Sequence, residues 1–498
     1  MSRQNRRDFL KCAAAGGFAA FTISGTKASG RVLGANDRVR IAVAGINGRG
    51  HEHINEYLSM KHGVEIAYLV DPDSRLYESR SKIVKRRSGV TPKCVADLRK
   101  ALEDKNLDAV SIAAPNHWHS LLAIWAIQAG KDVYVEKPCC HNIFEGRKLL
   151  EAARKYNRIV QHGTQSRSDP HWANAVAAVR SGQYGKLLIA YGYASKKRGS
   201  IGFAKPQTPP KELNFDIWLG PATKQPYHTN IVHYNWHWFW DFGNGEIGNQ
   251  GVHQMDIARW GLPDGAVPRS VISFGGRFGY QDQGQTPNTQ LTIIDCGDAK
   301  VFFEDRGLVD GKTTKVTNEF YMEEGVIKGG LFFAKGKGEG EKLKGVSTDA
   351  LKRKASLTGK LEPASSGFSF QDPQGRHFSN FVDCVRSRKR ENLNAEIAEG
   401  YRSAVFCHLG NLSYRLGTEV PFNSETKAFG DDKAAYESLE SMKQHLTDAA
   451  HLNLEDSKYH LGRKLTLDAK AEKFVDDDEA NKLLSRCYRK PYVVPEHV

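Results

Sequence analysis

Two side chains in this sequence are suited to acid–base work on an alcohol: an amine, Lys137, and an imidazole, His253. Lys137 stands in Glu136-Lys137-Pro138, just past a short apolar stretch at residues 131–135. Hydride transfer from a secondary alcohol needs a proton acceptor near the hydroxyl and a cation to hold the oxygen. A partly desolvated amine beside a cationic ring has a lowered pKa and can do both. His253 lies between Asn249 and Asp256. If residues 248–260 are one helix, spacings of four and three put all three on one face. The imidazole can then pass a proton at neutral pH while its neighbours orient it.

A third feature suits an anion. Residues 39–44 are apolar and β-branched, which predicts a buried parallel strand. They run into Gly45-Ile46-Asn47-Gly48-Arg49-Gly50 and a helix expected to begin near His51. Free backbone N–H groups and the positive end of a helix dipole would meet there, a fit for pyrophosphate. The dinucleotide fingerprint is G-x-G-x-x-G, and here Asn47 takes the middle position as a residue that tolerates left-handed backbone angles. Residues 64–70 predict a second strand ending at Asp71, 21 residues past Gly50. A carboxylate at that distance accepts hydrogen bonds from the adenosine ribose. Its charge favours NAD over NADP, and Arg75 is close enough to blunt the preference.

These residues need a framework that delivers them to one place. From residue 36 to 138 the pattern alternates strand and helix, predicting a doubly wound parallel sheet with helices on both faces. Ligands in such sheets sit beyond the carboxyl ends of the strands. The glycine turn, Asp71, residues 115–119 and Glu136-Lys137 all fall at such ends. From Lys186 onward, extended alternating stretches such as LLIAYGYA, QLTIIDC and AKVFFEDR predict a largely antiparallel sheet in a second, α+β domain. The expected division is a nucleotide-binding domain over 37–158, an α+β domain over 159–420 with a surface insertion at 329–367, and a C-terminal extension over 421–498.

The chain has 498 residues, a net charge of +14 and eight cysteines. Its Lys and Arg are dispersed among acidic residues, with no nucleic-acid-binding pattern, so a solvated basic surface is expected and no nucleic-acid partner. Asn5-Arg6-Arg7-Asp8-Phe9-Leu10-Lys11 is a twin-arginine pattern, followed by an apolar run too short and glycine-rich to span a membrane. Residues 1–30 are expected to be a signal segment and the mature protein to be periplasmic or otherwise exported, with no stable span. No cluster has zinc or calcium spacing, so no metal is expected.

With the glycine turn, Asn116 to His119 and Glu136-Lys137-Pro138 in order, the chain resembles the Gfo/Idh/MocA family of oxidoreductases. The stretches FDIWLGPA, WHWFWDFGNGEIGNQGVHQMDIARWGL and HFSNFVDCVRSRK are similar to an exported bacterial branch of it. The similarity runs from about Asp37 to about Gly417. It implies a Rossmann domain, a C-terminal domain whose sheet often builds a dimer or tetramer, and chemistry on sugars or polyols. It also implies cofactor contacts from Gly45, Ile46, Asn47, Gly48, Arg49, Gly50, Asp71, Pro115, Asn116, His119, Glu136 and Lys137. Lys137, His253, Asn249 and Asp256 would carry the chemistry. The family commonly has aspartate where Asn249 stands, and an amide cannot take a proton. Gln165 and Arg167, in GTQSRSDP, read as cleft residues, and Tyr234 and Trp236 could stack on sugar faces.

The expected function is an NAD-dependent oxidoreductase on a sugar-type substrate, with the cofactor tightly held because little free nicotinamide is expected outside the cytoplasm. Two rivals stay open: a redox-assisted, NAD-dependent glycoside hydrolase or lyase, and a non-catalytic carbohydrate-binding protein of the same fold.

Overall fold

The structure, a computed structural model, describes residues 38–60, 63–309, 314–343 and 373–498. The twin-arginine segment and residues 344–367 of the expected insertion lie outside the described residues.

Six strands form the first sheet: β1 (Val39–Ala44), β2 (Val64–Val70), β3 (Lys93–Val95), β4 (Ala109–Ile112), β5 (Asp132–Val135) and β6 (Val160–His162). Their order is β3-β2-β1-β4-β5-β6 and every pair is parallel. Valine and isoleucine fill these strands because both faces are covered by crossover helices. All six strands therefore end on the same edge. β6 belongs to this sheet, so the parallel unit runs past the expected boundary at 158.

The second sheet has twelve strands. β7 (Leu187–Ser195) pairs in parallel with β10 (Lys300–Arg306); its other neighbour, β11 (Lys315–Met322), and the remaining pairs are antiparallel. Helices Gly251–Gly261 and Ile397–Arg415 cover one face, where Val301 and Phe303 meet Val252, Met255 and Ala404. Helix Lys433–Ala450 covers part of the other, setting Leu439, Met442 and Leu446 against Phe274 and Phe302. The expected fold class therefore holds. The expected extension is less separate than its polar composition suggested: Lys458–Leu461 and Leu465–Asp468 are strands of this same sheet. No helix among the described residues is long and apolar enough to cross a membrane.

Two later segments return to the first sheet. Helix Pro373–Ser387 buries Phe378, Phe381 and Val382 against Ile41 and Tyr57. The long connection after β7 crosses the strand ends as a roof. It is tied down by main-chain hydrogen bonds from Ser74 N–H to Glu212 O (3.0 Å) and from Asn214 N–H to Pro72 O (2.8 Å). Its own core is aromatic: Trp218, Tyr227, Trp236, Phe239 and Phe242 pack together.

Candidate active site at the rim of the parallel sheet

A cleft of about 360 Å³ runs along the carboxyl edge of the first sheet beneath this roof. It is lined by Gly45, Asn47, Gly48, Arg49, Asp71, Pro115, Asn116, His119, Glu136, Lys137 and Asn249, so the edge expected from sequence does converge.

At its floor, β1 turns into helix Gly48–Ser59. That helix starts three residues earlier than expected. Gly45 has φ +79°, and a Cβ there would meet Ala113 O at 2.6 Å. At Gly50 a Cβ would lie 1.7 Å from Gly45 O, so strand and helix approach this closely only with two glycines. Asn47 has φ −85° and ψ 179°, extended backbone and not the left-handed region anticipated for it. The positive φ values fall on Gly45 and Gly48, which is why this turn accepts asparagine in the middle position. The amides of the first helical turn have no intrahelical acceptor, and Gly48 and Arg49 line the cleft.

Asp71 closes β2. Its carboxylate accepts from Ile46 N–H (3.0 Å) and Asp73 N–H (2.9 Å), fixing it against the glycine turn. Burial pushes its pKa up to about 6 against the pull of those two amides. Arg75, expected to blunt the preference for NAD, is engaged by a different carboxylate. Asp73 holds its guanidinium at 2.8 and 2.5 Å, and also faces His233 Nε2 at 2.8 Å.

The Arg49 side chain points away from a phosphate role. It donates to Glu136 Oε1 (2.7 Å) and Gln374 Oε1 (2.9 Å). Glu136 is a buried hub that also faces His53 Nε2 (3.1 Å) and Gln165 Nε2 (3.2 Å). Burial would raise its pKa, but Arg49 and His53 outweigh burial and hold the carboxyl well below the usual range. Asn116 donates to Asn244 Oδ1 (3.1 Å), and the two ring nitrogens of His119 face Pro138 O and Ala114 O, each at 2.6 Å. The side chain of His119 thus braces the turn that carries Lys137.

Lys137 Nζ donates to Asn249 O (2.9 Å) and Asn249 Oδ1 (3.1 Å). Burial lowers its pKa, Glu136 opposes that, and the charges of Arg49 and Arg198 add to the lowering. His253 is partly buried on the next helix. Burial and then the Lys137 charge push its pKa down to about 3, so the ring is neutral at pH 7 rather than poised there.

Six expected site residues, Ile46, Gly50, Gln165, Arg167, His253 and Asp256, are not among those lining this cleft. Residues 248–260 are not one helix: Gly245–Gly248 and Gly251–Gly261 are separated by a break at Asn249, with φ −100° and ψ −93°. The break turns Asn249 toward Lys137 and off the face of His253. Asp256 is fully buried, accepting from Arg167 Nε (2.8 and 3.0 Å) and Ser403 Oγ (2.6 Å). Arg167 is therefore a structural partner, stacked over Trp260 at 5.0 Å, and it lines a separate cavity rather than this cleft. Gln165 donates to Tyr134 OH (2.8 Å) behind Glu136.

The roof supplies groups that sequence reasoning passed over. Tyr234 and Trp236 line the cleft as expected, but so do His233, His237, Ile217 and Trp218. His237 stacks on Trp236 with ring centroids 3.6 Å apart. Trp118 and Trp125 form the end nearest Asp97. The density of aromatic residues between 215 and 242 was the available signal.

A glycine turn, a strand-end carboxylate and a partly buried amine on one rim, with an α+β domain closing over them, define a dinucleotide-dependent oxidoreductase architecture. Comparison with known proteins agrees. The family model described as "Oxidoreductase family, NAD-binding Rossmann fold" matches residues 39–164, and its companion, "Oxidoreductase family, C-terminal alpha/beta domain", matches 191–273 and 366–448. The protein belongs to the Gfo/Idh/MocA family. It is 30% identical over 156 residues to scyllo-inositol 2-dehydrogenase (NAD(+)) of Bacillus subtilis, covering 31% of this chain and 44% of that enzyme. It is 26% identical over 256 residues to inositol 2-dehydrogenase of Corynebacterium glutamicum, covering 49% and 69%. The match thus spans less than half the length of the Bacillus enzyme. In fold it is similar to the WlbA dehydrogenase from Bordetella pertussis in complex with NADH and UDP-GlcNAcA, with a TM-score of 0.55, 15% identity, and 76% of this chain and 96% of that one covered. Levoglucosan dehydrogenase in complex with NADH and L-sorbose gives a TM-score of 0.54 at 18% identity, covering 75% and 95%.

Proposed function

We propose that this protein is an NAD-dependent dehydrogenase that oxidises a secondary hydroxyl of a sugar, polyol or sugar derivative, with Lys137 as the proton acceptor. The observation that carries this is the position of the amine: it lies in the same cleft as the glycine turn and Asp71, with two acceptors of Asn249 fixing it. The two close-packed glycines and the Asp71 carboxylate fit a dinucleotide, and NAD bound there would supply the hydride acceptor. Gly45 to Gly50 would hold its pyrophosphate through backbone amides, and Asp71 its adenosine ribose. Lys137 takes the hydroxyl proton, and His253, neutral at pH 7, exchanges a hydrogen bond with the substrate oxygen. Trp236 and His237 give the cleft an apolar wall for the CH-rich face of a ring. The inositol and levoglucosan dehydrogenases among its relatives support a cyclic alcohol as substrate.

The roof favours a second feature of this reading: the cofactor is retained between turnovers, so the net reaction is redox-neutral or returns hydride to a second sugar. Redox-assisted glycoside cleavage is the alternative that the same roof supports. Export through the twin-arginine route and assembly as a dimer or tetramer belong to the proposal.

The test is to denature purified protein and assay the supernatant for NAD, then to supply NAD with inositols, free hexoses and chromogenic glycosides. Reduced nicotinamide formed with a cyclic alcohol, and lost in Lys137→Ala, supports dehydrogenation. Aglycone release without net reduction supports the alternative. Protein that neither contains nor binds NAD overturns both.

A further inference from the structure

We propose that Glu246, a buried glutamate given no role so far, is the positioning residue that aims Lys137 by fixing the amide of Asn249. The inference rests on the reading of Lys137 as proton acceptor.

A neutral lysine amine has two N–H groups and one lone pair. Asn249 presents two acceptors to it, the main-chain O at 2.9 Å and Oδ1 at 3.1 Å. Both N–H groups are then engaged, and the lone pair is left for the cleft. When substrate is oxidised, its O–H bond breaks and a new N–H bond forms on that lone pair. NAD, if bound in the cleft, would accept the C–H electron pair as hydride, leaving a C=O bond; the amine ends as an ammonium whose third N–H holds the product oxygen. The geometry works in one orientation of the Asn249 amide only. Flipped, Asn249 would aim N–H groups at Nζ and compete for the lone pair.

Glu246 selects that orientation. Its Oε2 accepts from Asn249 Nδ2 at 3.5 Å, and its main-chain O accepts from Asn249 N–H at 2.9 Å. The carboxylate is itself immobilised by a two-pronged contact from Arg198, Nε to Oε2 at 2.8 Å and Nη2 to Oε1 at 2.7 Å. Such paired contacts fix direction as well as distance. The chain Arg198–Glu246–Asn249–Lys137 thus runs from the second sheet to the reacting amine, through the break between helices Gly245–Gly248 and Gly251–Gly261. This arrangement also accounts for an amide at position 249: it supplies an acceptor to the amine without adding a negative charge that would hold the ammonium form.

The charged and titratable groups facing Lys137 are Glu136, Arg49, Glu246, Arg198, His253, His237, His119 and Cys407. Those facing Glu246 are Arg198, Lys137 and Asp305, which is buried on β10. Glu246→Gln removes a negative charge opposed to Arg49 and Arg198. The Lys137 pKa should fall further, and the acidic limb of kcat/KM should move to lower pH.

The experiment compares wild type, Glu246→Gln, Glu246→Ala and the double variant Glu246→Ala with Asn249→Asp, each first shown by circular dichroism to be folded. Glu246→Ala should lower kcat by about tenfold to a hundredfold with KM little changed. The double variant should recover most of that loss on the alkaline plateau of kcat, because an aspartate offers oxygen on both sides and needs nothing to orient it, while its charge moves the acidic limb to higher pH. A structural role for Glu246 predicts no such recovery and an unmoved pH limb, and either result overturns the inference. The apparent pKa of Lys137 is also read without turnover, from its acetylation by acetic anhydride across pH with mass-spectrometric detection. A shifted titration in Glu246→Gln in a protein that oxidises nothing would sustain the coupling and defeat the dehydrogenase reading. An unshifted titration in an active enzyme would defeat the coupling alone.

Discussion

Lys137 is a partly buried and Asp71 a buried ionisable group, and their opposite charges give opposite pH behaviour. Replacing Lys137 with alanine should lower kcat by roughly 10²- to 10⁴-fold, the range for losing a positioned proton acceptor. Lys137→Arg should be nearly as inactive, since a guanidinium keeps its proton, and steady-state assays of both variants check this. Asp71 has its pKa raised to about 6, so its carboxylate is charged above that pH and neutral below it. A ribose hydroxyl donates more strongly to the charged form. NAD affinity should therefore weaken as pH falls through about 6, and the dependence should flatten in Asp71→Asn; calorimetric titrations at several pH values measure it. Both residues were legible in the sequence because a strand end fixes its following residue directly. The roles of Arg49 and Glu136 were not legible, because their partnership spans 87 positions and is visible only once the helix and β5 are packed together.

At the scale of elements, the most consequential misreading was one helix in place of two. Apolar spacing from 248 to 260 is compatible with a continuous helix, and no proline marks the break. Tertiary packing decides it: a Cβ at Gly251 would lie 2.5 Å from the ring of Phe303 and one at Gly248 2.2 Å from Asn244, so the backbone is pressed closely on both sides of Asn249. The result separates two duties that periodicity had merged. Asn249 serves Lys137, while Asp256 clamps helix Gly251–Gly261 to Arg167 and Ser403. Burial alone would raise the pKa of Asp256, but the charge and hydrogen bonds of Arg167 outweigh it and hold the carboxyl below its usual value. Asp256→Ala should thus act on stability, leaving the buried Arg167 guanidinium with only the more distant Glu399 carboxylate at 3.5 Å, at a cost of about 3 kcal/mol. Denaturant unfolding should show that loss, while kcat of the folded fraction stays near wild type. A kcat loss as deep as that of Lys137→Ala, with stability unchanged, would return Asp256 to the catalytic group.

For the molecule as a whole, the two-sheet plan followed from local patterning, whereas the strand order and the roof did not. Its residues touch partners more than a hundred positions away, and nothing local indicates which surface an aromatic segment will cover. The C-terminal residues are the outer brace of that roof. Arg486 donates to Asp241 O (2.7 Å), and Arg489 donates to Gly220 O (2.9 Å), Asp216 Oδ1 (2.6 Å) and Asp216 O (2.6 Å). Tyr492 meets Trp118 edge to face, centroids 5.4 Å apart, behind the cleft wall. If the cofactor is held between turnovers by a closed roof, loosening this brace should free it without touching any group that contacts it. A chain ending at Ser485 should release NAD at least about tenfold faster, which corresponds to only ~1.4 kcal/mol of lost closure. Dissociation followed by loss of bound NAD on repeated desalting measures this directly. An unchanged off-rate in a chain that keeps its fold would mean that the main-chain contacts of Pro72 and Ser74 hold the roof by themselves, and that retention depends on the strand ends and not on the tail.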